Sequence, residues 1–178
     1  MLNIKTSVLV IIDIQEKLIN ATTNVNNSVV QNIAKMSKAA SVLGIPTIIT
    51  EQYPQGLGKT DADIDVKNAE TIEKSSFSAL LEPDFAEEIQ SLNKKQIIIG
   101  GIETHICVLQ TVADLISEGY EVYVLKDCCS SRKEMEHTTG IELMKQYGAK
   151  ITCVEIALFE LLKTSKHHNF KEIQSLIK

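Results

Sequence analysis

Short apolar runs alternate with longer amphipathic segments along this chain, and that alternation constrains the fold more than any other feature. The clearest runs are "SVLVIID" (Ser7 to Asp13), "PTIIT" (Pro46 to Thr50), "QIIIGG" (Gln96 to Gly101), "EVYVLKD" (Glu121 to Asp127) and "KITCVE" (Lys150 to Glu155). They have strand length and are mostly apolar, as expected where both faces of a sheet are covered. "ETIEKS" (Glu70 to Ser75) reads as a weaker strand. The intervening segments carry the helical period. In "NSVVQNIAKMSKAASVLG", Val30, Ile33, Met36, Ala40 and Leu43 recur at three- and four-residue steps, and Gly44 marks the stop. "EPDFAEEIQSL" opens with Pro83 and acidic residues, which suit a helix start. "CVLQTVADLISEGY" and "KEMEHTTGIELMKQYG" end at Gly119 and Gly148, and two short helical pieces follow the last strand. "EQYPQGLGKTDAD" reads as a polar loop.

Repeated strand-helix alternation implies an α/β fold, a parallel sheet with helices on both faces. In such a sheet ligands bind at the carboxyl ends of the strands, near the reversal of strand order. Chemistry is therefore expected just after Asp13, Thr50, Lys74 and Gly101. With 178 residues, the chain suits one domain, 1–178, with a substantial core. Its net charge of −5 and lack of a basic stripe argue against a nucleic-acid partner. The run Val8 to Ile12 is too short to span a bilayer, so no membrane association is expected. Cys107, Cys128, Cys129 and Cys153 show neither a disulfide framework nor a C-x-x-C metal pattern, which favours a reduced, cytoplasmic setting. Adjacent Cys128 and Cys129 read as small residues at a strand exit. No G-x-G-x-x-G follows the first strand, which disfavours dinucleotide binding.

Three strand-end residues carry chemistry. Asp13 is either a turn cap or an acid/base. Lys74 is either a solvated charge or a functional cation. If its strand lies at a sheet edge, the loop after it must fold back towards Asp13 and Cys107. Cys107 follows "IIIGGIETHI" near the first turn of a helix. There, free N–H groups and the helix dipole would lower a thiol pKa and bind an oxyanion. The alternative is a small buried hydrophobe. Gly100 and Gly101 permit close backbone approach or unusual dihedrals at the turn. Together an acid, a lysine and a cysteine make a plausible nucleophilic site.

On "VLVIIDIQEKL", "EKSSFSAL" and "GGIETHICVLQTVADLISEGYEVYVLKDCCSSR", in order over nearly the whole chain, the sequence resembles the isochorismatase-like cysteine hydrolases. "TEQYPQGLG", "GIETHICVLQT" and "CSSR" are most similar to the isochorismatase-domain-containing branch. The resemblance implies a three-layer α/β/α sandwich on a six-stranded parallel sheet, and a triad of Asp13, Lys74 and Cys107. Asp13 would shuttle the proton, Lys74 would hold the charges, and Cys107 would form a thioester. It also implies a cis peptide at Ile102–Glu103 that aims the Glu103 N–H, beside that of Cys107, at an oxyanion. A small-molecule substrate and a homo-oligomer are implied as well, with no cofactor. The Asp-x-His metal loop of related nicotinamidases is replaced here by "TEQYPQGLG", which has no His, so no catalytic metal is expected. A cysteine nucleophile favours an amide, imide or ester substrate over the vinyl ether of isochorismatases proper.

Secondary positions keep two readings each. Gln52 and Tyr53 line the pocket or form a plain surface loop. Phe77 is a pocket wall or a core residue. Thr104 lines the pocket or, with Glu103, only braces the turn in which both lie. Arg132 contacts a substrate carboxylate or a neighbouring subunit, or forms a surface salt bridge. Two other functions stay open: a catalytically idle scaffold protein, and a thiol redox protein using Cys107 or the Cys128–Cys129 pair.

Overall fold

Ile, Val and Leu fill both sides of the central strands, and the sheet they form is buried on both faces. The computed structural model describes residues 1–22 and 28–177. The strands are β1 (Ser7–Ile12), β2 (Thr47–Gln52), β3 (Ala69–Lys74), β4 (Gln96–Ile102), β5 (Glu121–Ser130) and β6 (Lys150–Thr152). They pair in parallel in the order β3-β2-β1-β4-β5-β6. The order reverses between β1 and β4, and in such sheets ligands bind at the strand ends beside that reversal.

Every residue of β1 is buried, and alternate side chains enter different cores. Leu9 and Ile11 pack with α2 (Ser28–Leu43), α7 (Val154–Leu162) and α8 (Phe170–Leu176) on one face. Val8, Val10 and Ile12 pack with α4 (Pro83–Ser91), α5 (Leu109–Ser117) and α6 (Glu134–Gln146) on the other. The result is the expected three-layer sandwich. Asn27, read as the start of the first long helix, lies outside the described residues.

Two short helices break what the sequence suggested were loops, α1 (Glu16–Ala21) and α3 (Pro54–Leu57). Each is shorter than two turns and gives no readable period. β5 runs on through Cys128 and Cys129 to Ser130, beyond the expected stop at Asp127. The α5 helix begins at Leu109, preceded by a wide helical turn over Thr104–Val108, so Cys107 sits late in the first turn and does not open the helix.

The paired glycines of β4 have a packing cause. A Cβ on Gly101, at φ 151°, would overlap the carbonyl oxygen of Ile12 on β1. A Cβ on Gly100 would lie 2.6 Å from the Cβ of Cys128 on β5. The β4–β5 register also shifts between Ile99 and Gly101. The strand is therefore pressed between its neighbours just before the turn that presents Cys107.

Candidate active site

Asp13 follows β1 directly and takes a left-handed conformation, φ 51°, which Asp tolerates better than most residues. Its N–H donates to the Thr50 carbonyl at 3.2 Å, and the Thr50 hydroxyl donates to Oδ1 at 2.7 Å. The carboxylate is wholly buried. Lys74 ends β3, the edge strand, with β2 between it and β1. Two strand spacings amount to roughly 10 Å, which an extended lysine and an aspartate span together. Lys74 Nζ lies 2.8 Å from Asp13 Oδ2, and both side chains are 0 % exposed. The approach is ionic, without an aligned hydrogen bond to Oδ2. The following loop does fold back. Lys74 donates to Gln52 Oε1 at 2.5 Å and to the carbonyls of Ser76 at 3.1 Å and Phe77 at 3.2 Å.

Cys107 is buried, and its thiol feels the charges of both Asp13 and Lys74. Burial, reinforced by the Asp13 charge and opposed by Lys74, pushes the thiol up to about 12. This corrects the expectation of a thiolate favoured by the helix start: desolvation and a neighbouring anion outweigh the dipole. Burial also raises the Asp13 carboxyl above its ordinary value, against the pull of Lys74, Thr50 and Cys107. The resting arrangement is thus a neutral thiol facing a carboxylate of enhanced basicity, with an ammonium behind it.

The turn before Cys107 is held on every side. The Ile102–Glu103 peptide is cis. The Ile106 and Val108 N–H groups both donate to the Glu103 carbonyl, at 3.1 and 3.2 Å, and that pairing skips Cys107. Three consecutive side chains of the turn meet the segment 131–137. Arg132 donates to Glu103 Oε1 from Nε at 2.9 Å and from its backbone N–H at 3.2 Å. Thr104 Oγ1 is 2.9 Å from His137 Nδ1, and His105 Nδ1 is 2.9 Å from Ser131 Oγ. Gly140 of α6 completes the contact: a Cβ there would come within 3.1 Å of His105 Cα.

The structure thus brings Asp13, Lys74 and Cys107 together, with Ile102, Glu103 and Thr104 in the turn beside them. Gln52 reaches the site as a holder of the Lys74 ammonium. Tyr53 and Phe77 belong to the wall by backbone only: the Tyr53 N–H donates to the Lys74 carbonyl at 2.9 Å, while both rings are more than half exposed. Core packing is therefore not the role of Phe77. Arg132 forms the salt bridge with Glu103, 54 % exposed at the guanidinium side.

Sequence reasoning missed a supporting layer. Gln15 accepts from the Gln52 N–H at 2.8 Å and donates to the carbonyls of Gln52 at 3.1 Å and Gly58 at 2.6 Å. Glu82 Oε1 accepts from the N–H groups of Ser75 at 2.8 Å and Ser76 at 2.7 Å. The available signal was a polar residue inside an apolar stretch, as Gln15 is beside Ile14. Cys128 and Cys129 belong to opposite cores, so their thiols lie on different faces of the sheet and cannot pair in this fold. Among the described residues, no group of three His, Cys, Asp or Glu side chains is arranged to hold a metal ion.

Comparison with known proteins agrees with this architecture. A family profile described as "Isochorismatase domain" matches residues 7–156. The chain is 39% identical over 174 residues to isochorismatase domain-containing protein 2 of Xenopus laevis, covering 97% of this chain and 84% of that protein. A solved structure described as the MAR1 ribonuclease of Caenorhabditis elegans superposes with a TM-score of 0.93 at 35% identity, covering 99% of this chain and 91% of that one. The YcaC gene product of Escherichia coli, described as an octameric hydrolase of unknown specificity, shares the fold with a TM-score of 0.89 at 21% identity, over 99% and 94% of the two chains.

Proposed function

The chain belongs to the isochorismatase-domain family of hydrolases, and on that premise we propose that it is a metal-independent cysteine hydrolase of small amides, imides or esters, with Asp13, Lys74 and Cys107 as its triad. The observation that carries this reading is the buried Asp13–Lys74 pair, 2.8 Å apart, with the buried Cys107 thiol under the influence of both charges.

Cys107 Sγ attacks the substrate carbonyl carbon as its proton passes to Asp13, whose raised pKa makes it a better base than a solvated aspartate. The carbonyl π pair moves onto oxygen, and the Cys107 N–H, left out of the pairing to Glu103, stabilises that oxyanion together with the Glu103 N–H. Collapse of the intermediate breaks the C–N or C–O bond, and Asp13 returns the proton to the leaving group. Water then gives a proton to Asp13 and attacks the thioester. Expulsion of the sulfur, with the proton restored to it, releases the acid. Lys74 keeps Asp13 ionised between turns of this cycle. Its three N–H donors are taken by Gln52, Ser76 and Phe77 and its charge faces Asp13, so it offers nothing to a substrate carboxylate. The substrate class is accordingly uncharged.

The test is a panel of neutral amides, imides and esters, read by product formation and by intact mass. The expected result is turnover lost in Cys107→Ala, with an acyl adduct trapped on Cys107 in the native chain. Turnover that persists in Cys107→Ala sinks the reading. Because the C. elegans neighbour is described as a ribonuclease, RNA belongs in the same panel, although a net charge of −5 weighs against it. We take residues 1–178 as one cytoplasmic hydrolase domain that self-associates. In support, no helix among the described residues is long and apolar enough to cross a membrane, and Leu81 and Met135 stand out as exposed apolar side chains.

A further inference from the structure

Thr111 is buried on the face of α5 that also carries Val112 and Leu115, below Val108 of the preceding turn. A residue there only to fill core would serve as well with the shape of valine. Its hydroxyl is nonetheless used twice. It donates to the Cys107 carbonyl at 2.7 Å and accepts the Ala79 N–H at 3.0 Å. A threonine bonding back to the carbonyl four residues earlier ordinarily serves its own helix alone. Here the same oxygen reaches the loop that encloses Lys74.

That loop is specified by its bonds. The N–H groups of Ser75 and Ser76 go to Glu82, and its Ser76 and Phe77 carbonyls hold the Lys74 ammonium. The Ser75 carbonyl accepts from Gln52 Nε2 at 2.8 Å. Among the described residues, Thr111 makes the one hydrogen bond that joins this loop to the helical segment 104–117. We propose that Thr111 is a positioning residue that fixes the Lys74 loop against the Cys107 turn, and so sets how strongly the ammonium stabilises negative charge on the sulfur. The inference rests on the cysteine-hydrolase reading above.

It makes a signed prediction. Removing the hydroxyl frees the Ala79 N–H and lets the loop relax, so Lys74 pulls less on the thiol. The alkylation limb of Cys107 then moves to higher pH, the direction expected when Lys74 itself is lost.

The probe is iodoacetamide, with Cys107 labelling rates followed from pH 6 to 11 by peptide mass spectrometry in the full chain. In Thr111→Val the Cys107 rate at neutral pH is expected to fall about ten-fold, the scale of one lost buried hydrogen bond. Thr111→Ser, which keeps the hydroxyl, restores the native profile. An unchanged profile in Thr111→Val, or no rescue by serine, overturns the proposal. Asp13→Asn and Lys74→Met run beside them. If these two shift the Cys107 profile and Thr111→Val does not, the positioning role falls and the hydrolase reading stands. If neither shifts it, both fall. Should Thr111→Val not fold, hydrogen exchange of the Ala79 amide in the native chain decides: slow exchange supports the bond, and exchange at the rate of an open loop overturns it.

Discussion

An aspartate and a lysine with no exposed side-chain surface make each other tolerable, and neither is tolerable alone. Lys74→Met strands a buried carboxylate, a change that costs on the order of 3–5 kcal/mol in comparable pairs, whereas replacing both partners is often close to neutral. Urea unfolding should therefore show Lys74→Met far less stable than Asp13→Asn/Lys74→Met. Equal losses would mean that the pair is not coupled. The thiol responds to the same charges with opposite signs. Asp13→Asn removes one cause of the rise to about 12, so the alkylation limb of Cys107 moves to lower pH. It stays above the ordinary 9.0, because burial is the larger cause and remains. Asp13 was visible in the sequence since it ends an easily read apolar run, and Cys107 since it follows another closely; Lys74 stands near the end of the weaker run "ETIEKS", and the family resemblance singled it out. Gln15, Thr50, Glu82 and Thr111 were not visible. A polar side chain looks the same on paper whether it meets water or a backbone N–H from 32 residues away, as Thr111 and Ala79 show.

The turn over residues 103–108 and the segment 131–140 that leads into α6 behave as one unit, since three side-chain bonds and the close face of Gly140 join them. His137 is the titratable part of that joint. Burial holds its pKa below the ordinary value, while Glu134 pulls it up and Lys126 down. The unfolded chain therefore takes up the proton first as pH falls through about 6.5, so this joint's stabilisation is full above that pH and is lost below it. Melting temperature should fall with pH from that point in the native chain and less steeply in His137→Asn. Identical slopes would remove His137 from the account. Glu82, whose carboxyl is lowered by the Ser75 and Ser76 N–H groups, acts only at pH values below its ordinary 4.5, so the two effects are separable. None of this joint was legible at the level of elements. The periods of α5 and α6 predict two amphipathic helices, and both exist, but which turn α6 touches depends on how the two helices sit side by side on one face of the sheet.

At the scale of the molecule, the strand runs were readable because continuous apolar sequence has few uses in a chain of this composition, and the order reversal between β1 and β4 followed the general rule for such sheets. The edge position of β3 was not readable, since a half-exposed strand like "AETIEK" alternates too weakly to declare its neighbours. Self-association is the prediction at this scale. Light scattering on the eluting protein should give a mass that is a multiple of 19.7 kDa, and a monomer at micromolar concentration would remove the oligomer from the reading. The seat of Cys128 against Gly100 carries one more consequence. Asp13, Lys74 and Cys107 have all been synthesised well before β5, yet β4 then still lacks the neighbour that fills the space beside its glycines. A nascent chain halted after α5 would hold every reactive group and an unsheathed strand edge. The last third of the polypeptide thus acts as the closing half of a mould, since it supplies Cys128 beside β4 and Ser131, Arg132 and His137 against the turn that presents Cys107.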